Sequence, residues 1–287
     1  MSLSTQQQEK KDNYDDQSFP KCCADFWKSC EKLITETSQH GFLTRMVDGS
    51  LPQSNFQYYV VQDALYLQDF GDCLRRLSKS AGNQSDAERL EQFAIGAEEA
   101  ELALHRSFFQ QWNISATGVE QMPNCLLYTS YMKRIVTTRP HAQGLAVLLP
   151  CFWVYQHVGQ CMLELRSNLA DSVRRPPQYD AWIDMYGGDD FAKEVKEYIA
   201  MVDAECQLIL QNEEPDSAKK QLQEMQRHFF MSCKLEHMFW DQALHRMEWP
   251  TIGVLMRILS ILGTGNPNGD SFCDYERLSR FLSVCMT

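Results

Sequence analysis

The sequence predicts an all-α fold, a single-domain helical bundle, and three observations carry that expectation. Apolar residues recur with a 3.6-residue period in segments of about 15 to 30 residues. Strand-like alternation is nearly missing. The connections between segments are short, with no linker long enough to separate domains. At 287 residues the chain can bury a substantial core without disulfides or metals. Residues 1–18 are rich in Gln, Lys, Asp and Ser and poor in large aliphatics; they cannot offset the entropy of ordering and read as a disordered tail. The bundle is expected over 19–249, followed by a helical extension of unassigned role over 250–287.

The elements follow in chain order. Residues 24–40 carry the first helical pattern, which Gly41 is expected to end. After the turn SLPQSNF comes a second helix, with Ser54 as its cap and Phe56, Tyr59, Val60, Asp63, Tyr66, Leu67 and Phe70 along one side. Asp86 is expected to open a third, AERLEQFAIGAEEAELALHRSFFQQW, and Pro123 suits the first turn of a fourth, through CLLYTSYMKRIV. A fifth spans 141–168 with Pro150 inside it. The polar loop SNLADSVRRPPQ precedes a short piece, YDAWIDMY, which meets Gly187 and Gly188. Asp189 or Asp190 can cap a helix running to about residue 212. Pro215 and Asp216 then begin a long one, through KKQLQEMQRHFFMSCKLEHMFWDQALHRM. Beyond Trp249 lie an apolar patch (IGVLMRILSIL), a turn (GTGNPNGD) and a short final helix.

Charge and cysteine usage exclude several function classes. A formal charge of -11 and a pI near 5.1 give a field that repels phosphate backbones and anionic headgroups, so neither nucleic acid nor a membrane surface is an expected partner. The longest apolar run is broken by Gln143, Gly144 and Pro150, short of a membrane span. The eleven cysteines are scattered, odd in number and without CxxC spacing, and the N-terminus is polar where a signal peptide needs an apolar core. Reduced thiols in a cytoplasmic protein are expected.

Within AVLLPCFWVYQHVG, residues 146–159, a proline and a cysteine interrupt a run that leucine would serve better. An interior proline removes one hydrogen bond and clashes with the carbonyl four residues earlier, here Ala146, at about 3 kcal/mol or more. Packing alone could explain the pair, since a cysteine behaves as a small hydrophobe. Tyr155, four residues after Cys151, shares its helix face and adds a hydroxyl. In YYVVQDALYL a single carboxylate, Asp63, sits among apolar and aromatic residues with Tyr66 three residues on. It needs an internal partner, such as an amide or an arginine, or a ligand's donors. LEHMFWDQAL places Glu236 on one face with Phe239 and Trp240, a stripe that is ordinary core except for its carboxylate. A thiol, two carboxylates in apolar settings and several tyrosines on different helices match a pocket between bundle helices for an aromatic, hydrogen-bonding small ligand.

Five blocks, YYVVQDALYL, LLYTSYM, LLPCFWVYQHVG, YDAWIDMYGGDDF and LEHMFWDQAL, resemble in order and spacing the signature blocks of the TenA family of thiaminase II enzymes, or aminopyrimidine aminohydrolases, in its cysteine-bearing branch. The resemblance spans about residues 24–249. It implies a heme-oxygenase-like helical bundle, assembled as a homo-oligomer (tetramer or dimer), with no cofactor and no metal. The implied reaction is hydrolysis at the pyrimidine methylene carbon of an aminomethyl-aminopyrimidine, or of thiamin, releasing hydroxymethylpyrimidine. Carried over residue by residue, Cys151 is the nucleophile, Glu236 moves protons, Asp63 binds the aminopyrimidine, and Tyr66, Tyr128, Tyr155, Tyr186 and Phe239 line the pocket. Three departures stand out: a longer loop over 167–180, the segment after Trp249, and the pair His237-Met238 where an aromatic or polar pair is usual.

Two other classes remain open at this level. A non-catalytic pyrimidine-binding or regulatory protein would keep the same pocket. A di-iron carboxylate bundle would use Glu98, Glu101 and His105, which share a face in AEEAELALHRSFF. Its pattern, however, wants Glu-x-x-His on two helices, and a solvated acidic face accounts for these residues as well.

Overall fold

A computed structural model describes residues 21–170 and 172–250. Among the described residues there is no strand. Ten α-helices run α1 (Lys21–Ser38), α2 (Gly41–Asp48), α3 (Gln53–Ser80), α4 (Gln84–Gly96), α5 (Leu102–Trp112), α6 (Pro123–Thr138), α7 (His141–Ser167), α8 (Pro177–Gly187), α9 (Asp189–Asn212) and α10 (Pro215–His245), with a π turn, Ala97–Glu101, between α4 and α5. The expected tail over 1–18 and the turn GTGNPNGD lie outside the described residues, as does the proposed extension apart from Pro250.

The pattern of burial explains the layout. α7 is buried on all sides through its first half, every residue from Ala142 to Pro150 being buried, so it is a central helix. α10, α8, α9, α6, α1, α2 and α3 all pack on it. α3 and α10 are amphipathic and turn their apolar faces inward; on α3 that face carries Phe56, Tyr59, Val60, Asp63, Tyr66, Leu67 and Phe70, all buried. The nine cysteines among the described residues are all thiols.

Several boundaries differ from expectation for local reasons. Gly41 does not end a helical region; it begins α2, whose N-terminus is capped by the His40 side chain accepting from Phe42 N at 3.1 Å. α3 starts at Gln53 after Pro52, and Ser54 makes no cap bond. Asn83, not Asp86, caps α4: its side chain accepts from Asp86 N at 2.9 Å. Asp189 and Asp190 sit in the first turn of α9, favourable to the helix dipole, with Gly188 in the capping position. The single third helix of the sequence pattern is split by the π turn. There Glu98 takes both guanidinium nitrogens of Arg75, at 2.5 and 2.7 Å, over Gly71, where a Cβ would meet Glu98 Oε1 at 2.5 Å.

The long loop before α8 is tied down. Arg175 Nη1 donates to Val47 O at 2.5 Å, Tyr179 Oη donates to Leu51 O at 3.0 Å, and Arg166 pairs with Asp180 at 2.9 Å and with Asp184. Gly49 (φ 80°) makes room for it, since any Cβ there would strike the Arg174 carbonyl.

Candidate active site

Five helices contribute the residues singled out from the sequence: α3 supplies Asp63 and Tyr66, α6 Tyr128, α7 Cys151 and Tyr155, α8 Tyr186, and α10 Glu236 and Phe239. All are buried except Cys151, which is partly exposed; Asp63 is 2 % and Glu236 1 % exposed. The spacing on each helix places pairs on one face: three residues separate Asp63 from Tyr66 and Glu236 from Phe239, and four separate Cys151 from Tyr155.

Tyr66 and Tyr128 stand between the thiol and the buried carboxyl. Cys151 is near enough for its charge to act on both phenols, and the Tyr66 hydroxyl donates to Met132 Sδ at 3.4 Å. Tyr128 Oη donates to Glu236 Oε1 at 2.7 Å. Burial pushes the Glu236 carboxyl up to about 8; the Asp63 charge adds to the rise and the Tyr128 bond opposes it. At neutral pH Glu236 is therefore a carboxylic acid, and because Tyr128 donates to Oε1 its proton belongs on Oε2. Burial also holds the phenols of Tyr66, Tyr128 and Tyr155 well above their usual range, with Cys151 the next contributor at Tyr66, Glu236 at Tyr128 and Tyr59 at Tyr155. The tyrosines are neutral donors.

Around these residues stands an aromatic wall. Tyr66 lies 5.0 Å from Tyr128 and 5.7 Å from Phe239, ring centroid to centroid, and Tyr155 lies 4.9 Å from Tyr186. Asp63 is near enough for its charge to act on both Tyr155 and Glu236. The eight residues form one cluster.

Close approach of α8 to α7 sets Tyr186. Gly159 faces the Tyr186–Gly187 backbone so tightly that a Cβ would meet Gly187 N at 2.5 Å, and Gln160 Nε2 donates to Gly187 O at 2.6 Å.

Three further rings belong to the wall: the sequence pattern placed Tyr59 and Trp240 on inward faces without assigning them to the site, and it passed over Trp182. Trp182 Nε1 donates to Tyr59 Oη at 3.2 Å, and Trp240 stacks on Tyr59 (5.3 Å, 21°) and lies 5.1 Å from Tyr155. A signal existed for two of them: Tyr59 precedes Asp63, and Trp182 precedes Tyr186, by four residues, one helical turn.

Other candidate groups sit apart from this cluster. Glu98 of the di-iron alternative is bound by Arg75, and the side chains of Glu101 and His105 lie outside the described residues. His237, one of the departures, belongs to a trio with His40 and Asp241 whose ligand-type atoms lie within 4.8 Å of one another. A main-chain hydrogen bond fixes the tautomer of His40. His40 Nδ1 accepts from Phe42 N–H, so neutral His40 carries its proton on Nε2 and donates it to Asp241 Oδ1 at 3.1 Å, which occupies the nitrogen a cation would need. A groove of about 540 Å³ between the start of α1, the end of α9 and the start of α10, lined by Phe26, Leu210 and Leu222, holds none of the eight residues.

Comparison with known proteins follows the same outline. A family model described as TENA/THI-4/PQQC matches residues 27–246. An aminopyrimidine aminohydrolase of Bacillus subtilis is 33% identical over 213 residues, 73% of this chain and 84% of its own length. A protein of the same name from Halalkalibacterium halodurans is 28% identical over 232 residues, 79% of this chain and 96% of its own. Among solved structures, a TenA homologue from P. horikoshii superposes with a TM-score of 0.66 at 21% identity, covering 78% of this chain and 98% of that one. A domain with a heme oxygenase-like fold from Shewanella denitrificans superposes with a TM-score of 0.56 at 12% identity, covering 87% of this chain and 96% of that one.

Proposed function

Because the chain belongs to the TENA/THI-4/PQQC family, we propose that it is an aminopyrimidine aminohydrolase of the thiaminase II type, releasing hydroxymethylpyrimidine from an aminomethyl-aminopyrimidine or from thiamin. The observation that supports this reading most directly is the buried Tyr128–Glu236 hydrogen bond, with Glu236 protonated at neutral pH and Cys151 close enough to act on both Tyr66 and Tyr128.

The roles follow from the chemistry of the groups. An aminopyrimidine ring is electron-poor, so the Cys151 thiol adds across a ring carbon–nitrogen double bond, sulfur to carbon and proton to nitrogen, and the electron pair it brings expels the substituent from the methylene carbon. The departing amine takes a proton from Glu236, whose raised pKa keeps one available at neutral pH. The resulting carboxylate then accepts a proton from the water that attacks the methylene, and the carbon–sulfur bond breaks as the ring nitrogen gives its proton back to sulfur, restoring the thiol. Asp63 accepts hydrogen bonds from the exocyclic amine or a protonated ring nitrogen, stronger as positive charge develops on the ring. Tyr128 holds the Glu236 carboxyl in place and Tyr66 lies beside the sulfur, while Tyr155, Tyr186 and Phe239 hold the heterocycle by stacking. As part of the same reading, the protein acts in the cytoplasm as a homo-oligomer, a dimer or a tetramer.

Turnover of thiamin and of the aminomethyl compound by the wild type and by Cys151→Ser tests the assignment. The substitution should lower kcat on the order of 10³-fold, because the weaker nucleophile replaces the thiol at an otherwise intact site. Full activity in Cys151→Ser overturns the covalent role. Pyrimidine binding by titration calorimetry without turnover of either compound would make the protein a binder instead.

A further inference from the structure

The roles above leave one fully buried hydroxyl of α10 unused. Ser232 is 0 % exposed and its Oγ donates to Val147 O, across to α7, at 2.8 Å. Val147 stands four residues before Cys151, so in a regular α-helix its carbonyl is the acceptor for the backbone N–H of Cys151. Pro150 lies immediately before the thiol; it has no N–H and presses on the carbonyl of Ala146. The ladder is therefore disturbed beside the bond that orients Cys151, and groups entering a disturbed ladder set the course of the helix. On the other side of Ala146, Tyr198 of α9 donates to Leu145 O at 3.2 Å and stacks on Phe152 (4.5 Å, 25°). Both carbonyls flanking Ala146 are thus held from neighbouring helices.

Ser232 also stands four residues before Glu236, on the same face of α10. A single turn of this helix grips the backbone that carries the thiol and, at its other end, presents the carboxyl bound to Tyr128. We propose that Ser232 is a positioning residue: by holding the Val147 carbonyl it fixes the course of α7 through Pro150 and with it the distance between the Cys151 sulfur and the Glu236 carboxyl. The proposal rests on the roles given to Cys151 and Glu236 above. The Ser232 hydroxyl acts through the main chain of α7. Its loss misplaces the nucleophile without removing a binding contact, so kcat should change and KM should not.

Two readouts test this on the full chain. In Ser232→Ala, kcat for the aminomethyl compound should fall roughly 10- to 100-fold at unchanged KM, the cost of a small misalignment of reacting groups. In the same protein, alkylation by iodoacetamide, followed peptide by peptide, should speed up at Cys151 and not at Cys161, which lies on the same helix ten residues further on and is also partly exposed. Wild-type kcat, a rise in KM alone, or equal acceleration at both cysteines overturns the proposal, the last because it signals general loosening. Should Ser232→Ala fail to fold, Ser232→Cys keeps the volume and weakens the donor. It should shift both readouts the same way, and wild-type values for both overturn the proposal. A wild-type protein inert toward both substrates sinks the hydrolase reading alone, because the ratio of alkylation rates still reports on Ser232.

Discussion

α10 carries two carboxylates five residues apart, Glu236 and Asp241, and their surroundings could hardly differ more. They point about 140° apart round the helix axis. Glu236 is 1 % exposed, among tyrosines, with Tyr128 donating to it and the charge of Asp63 nearby. The Asp241 side chain is 42 % exposed, between His40 Nε2 at 3.1 Å and His237 Nε2 at 4.0 Å. Desolvation makes the first a neutral acid at pH 7, ready to give up a proton. The second keeps an edge in water and anchors the α1–α2 corner through His40. Position in the bundle, rather than residue type, decides which carboxyl can do proton chemistry, and α10 displays both outcomes within two turns.

Substitutions that remove each charge separate the two ends most widely. Glu236→Gln should lower kcat about 10²- to 10⁴-fold, the usual worth of a positioned proton donor, while Asp241→Asn leaves it within the same order of magnitude. Steady-state kinetics on the aminomethyl compound measure both, and equal losses would show that the buried carboxyl is not special.

A smaller effect concerns the pH at which the buried end switches. With Glu236 active in its protonated form and titrating at about 8, kcat/KM should fall as pH rises through that value. The Tyr128 hydrogen bond favours the ionised form, so Tyr128→Phe should move this alkaline limb upward, and Glu236→Gln should abolish it. A limb that moves down in Tyr128→Phe would mean that the bond stabilises the acid instead.

The contrast between the two ends also marks what can be read in a sequence. Glu236 and Asp63 were visible because a lone carboxylate in an apolar helical stripe breaks the pattern, and Cys151 because a proline beside it does the same. The helical periodicity of α6, α7, α9 and α10 was equally plain, since each buries a continuous face. Other features depend on contacts between distant segments. Gly41 has the composition of a helix stop, yet His40 caps a new helix there because the backbone turns at that point. The π turn over 97–101 leaves no trace in a Glu- and Ala-rich stretch that suits an α-helix as well. Its companions, Arg75 and Gly71, come from another helix. Ser232 gives no sequence signal at all, because its partner is a main-chain oxygen 85 residues away. Periodicity reveals which face is buried and leaves open which atoms meet there.

The two ends should also pull stability in opposite directions with pH. Between about 4.5 and 8 folded Glu236 holds a proton that the unfolded chain has released, so its contribution weakens as pH rises. The histidines act the other way. Burial lowers His40, and burial with the nearby Arg227 lowers His228 to about 4, so below pH 6.5 the unfolded chain takes up protons that the folded one refuses. Stability contributed by their neutral forms is complete above 6.5 and declines as pH falls toward those lowered values. For His228, 1 % exposed with Nδ1 against Tyr131 Oη at 2.7 Å, the decline amounts to about 3 kcal/mol by pH 4. Urea unfolding from pH 7 to 4 should therefore show a midpoint whose acid-side loss is smaller in His228→Gln than in the wild type, with His157, lowered to about 4 by burial, supplying a like share that remains. His40→Gln should reduce the loss by less, since the Asp241 hydrogen bond and charge already offset part of the cost of burial. A steeper acid slope in His40→Gln would show that the exposed end of α10, rather than the buried histidine, governs tolerance to acid.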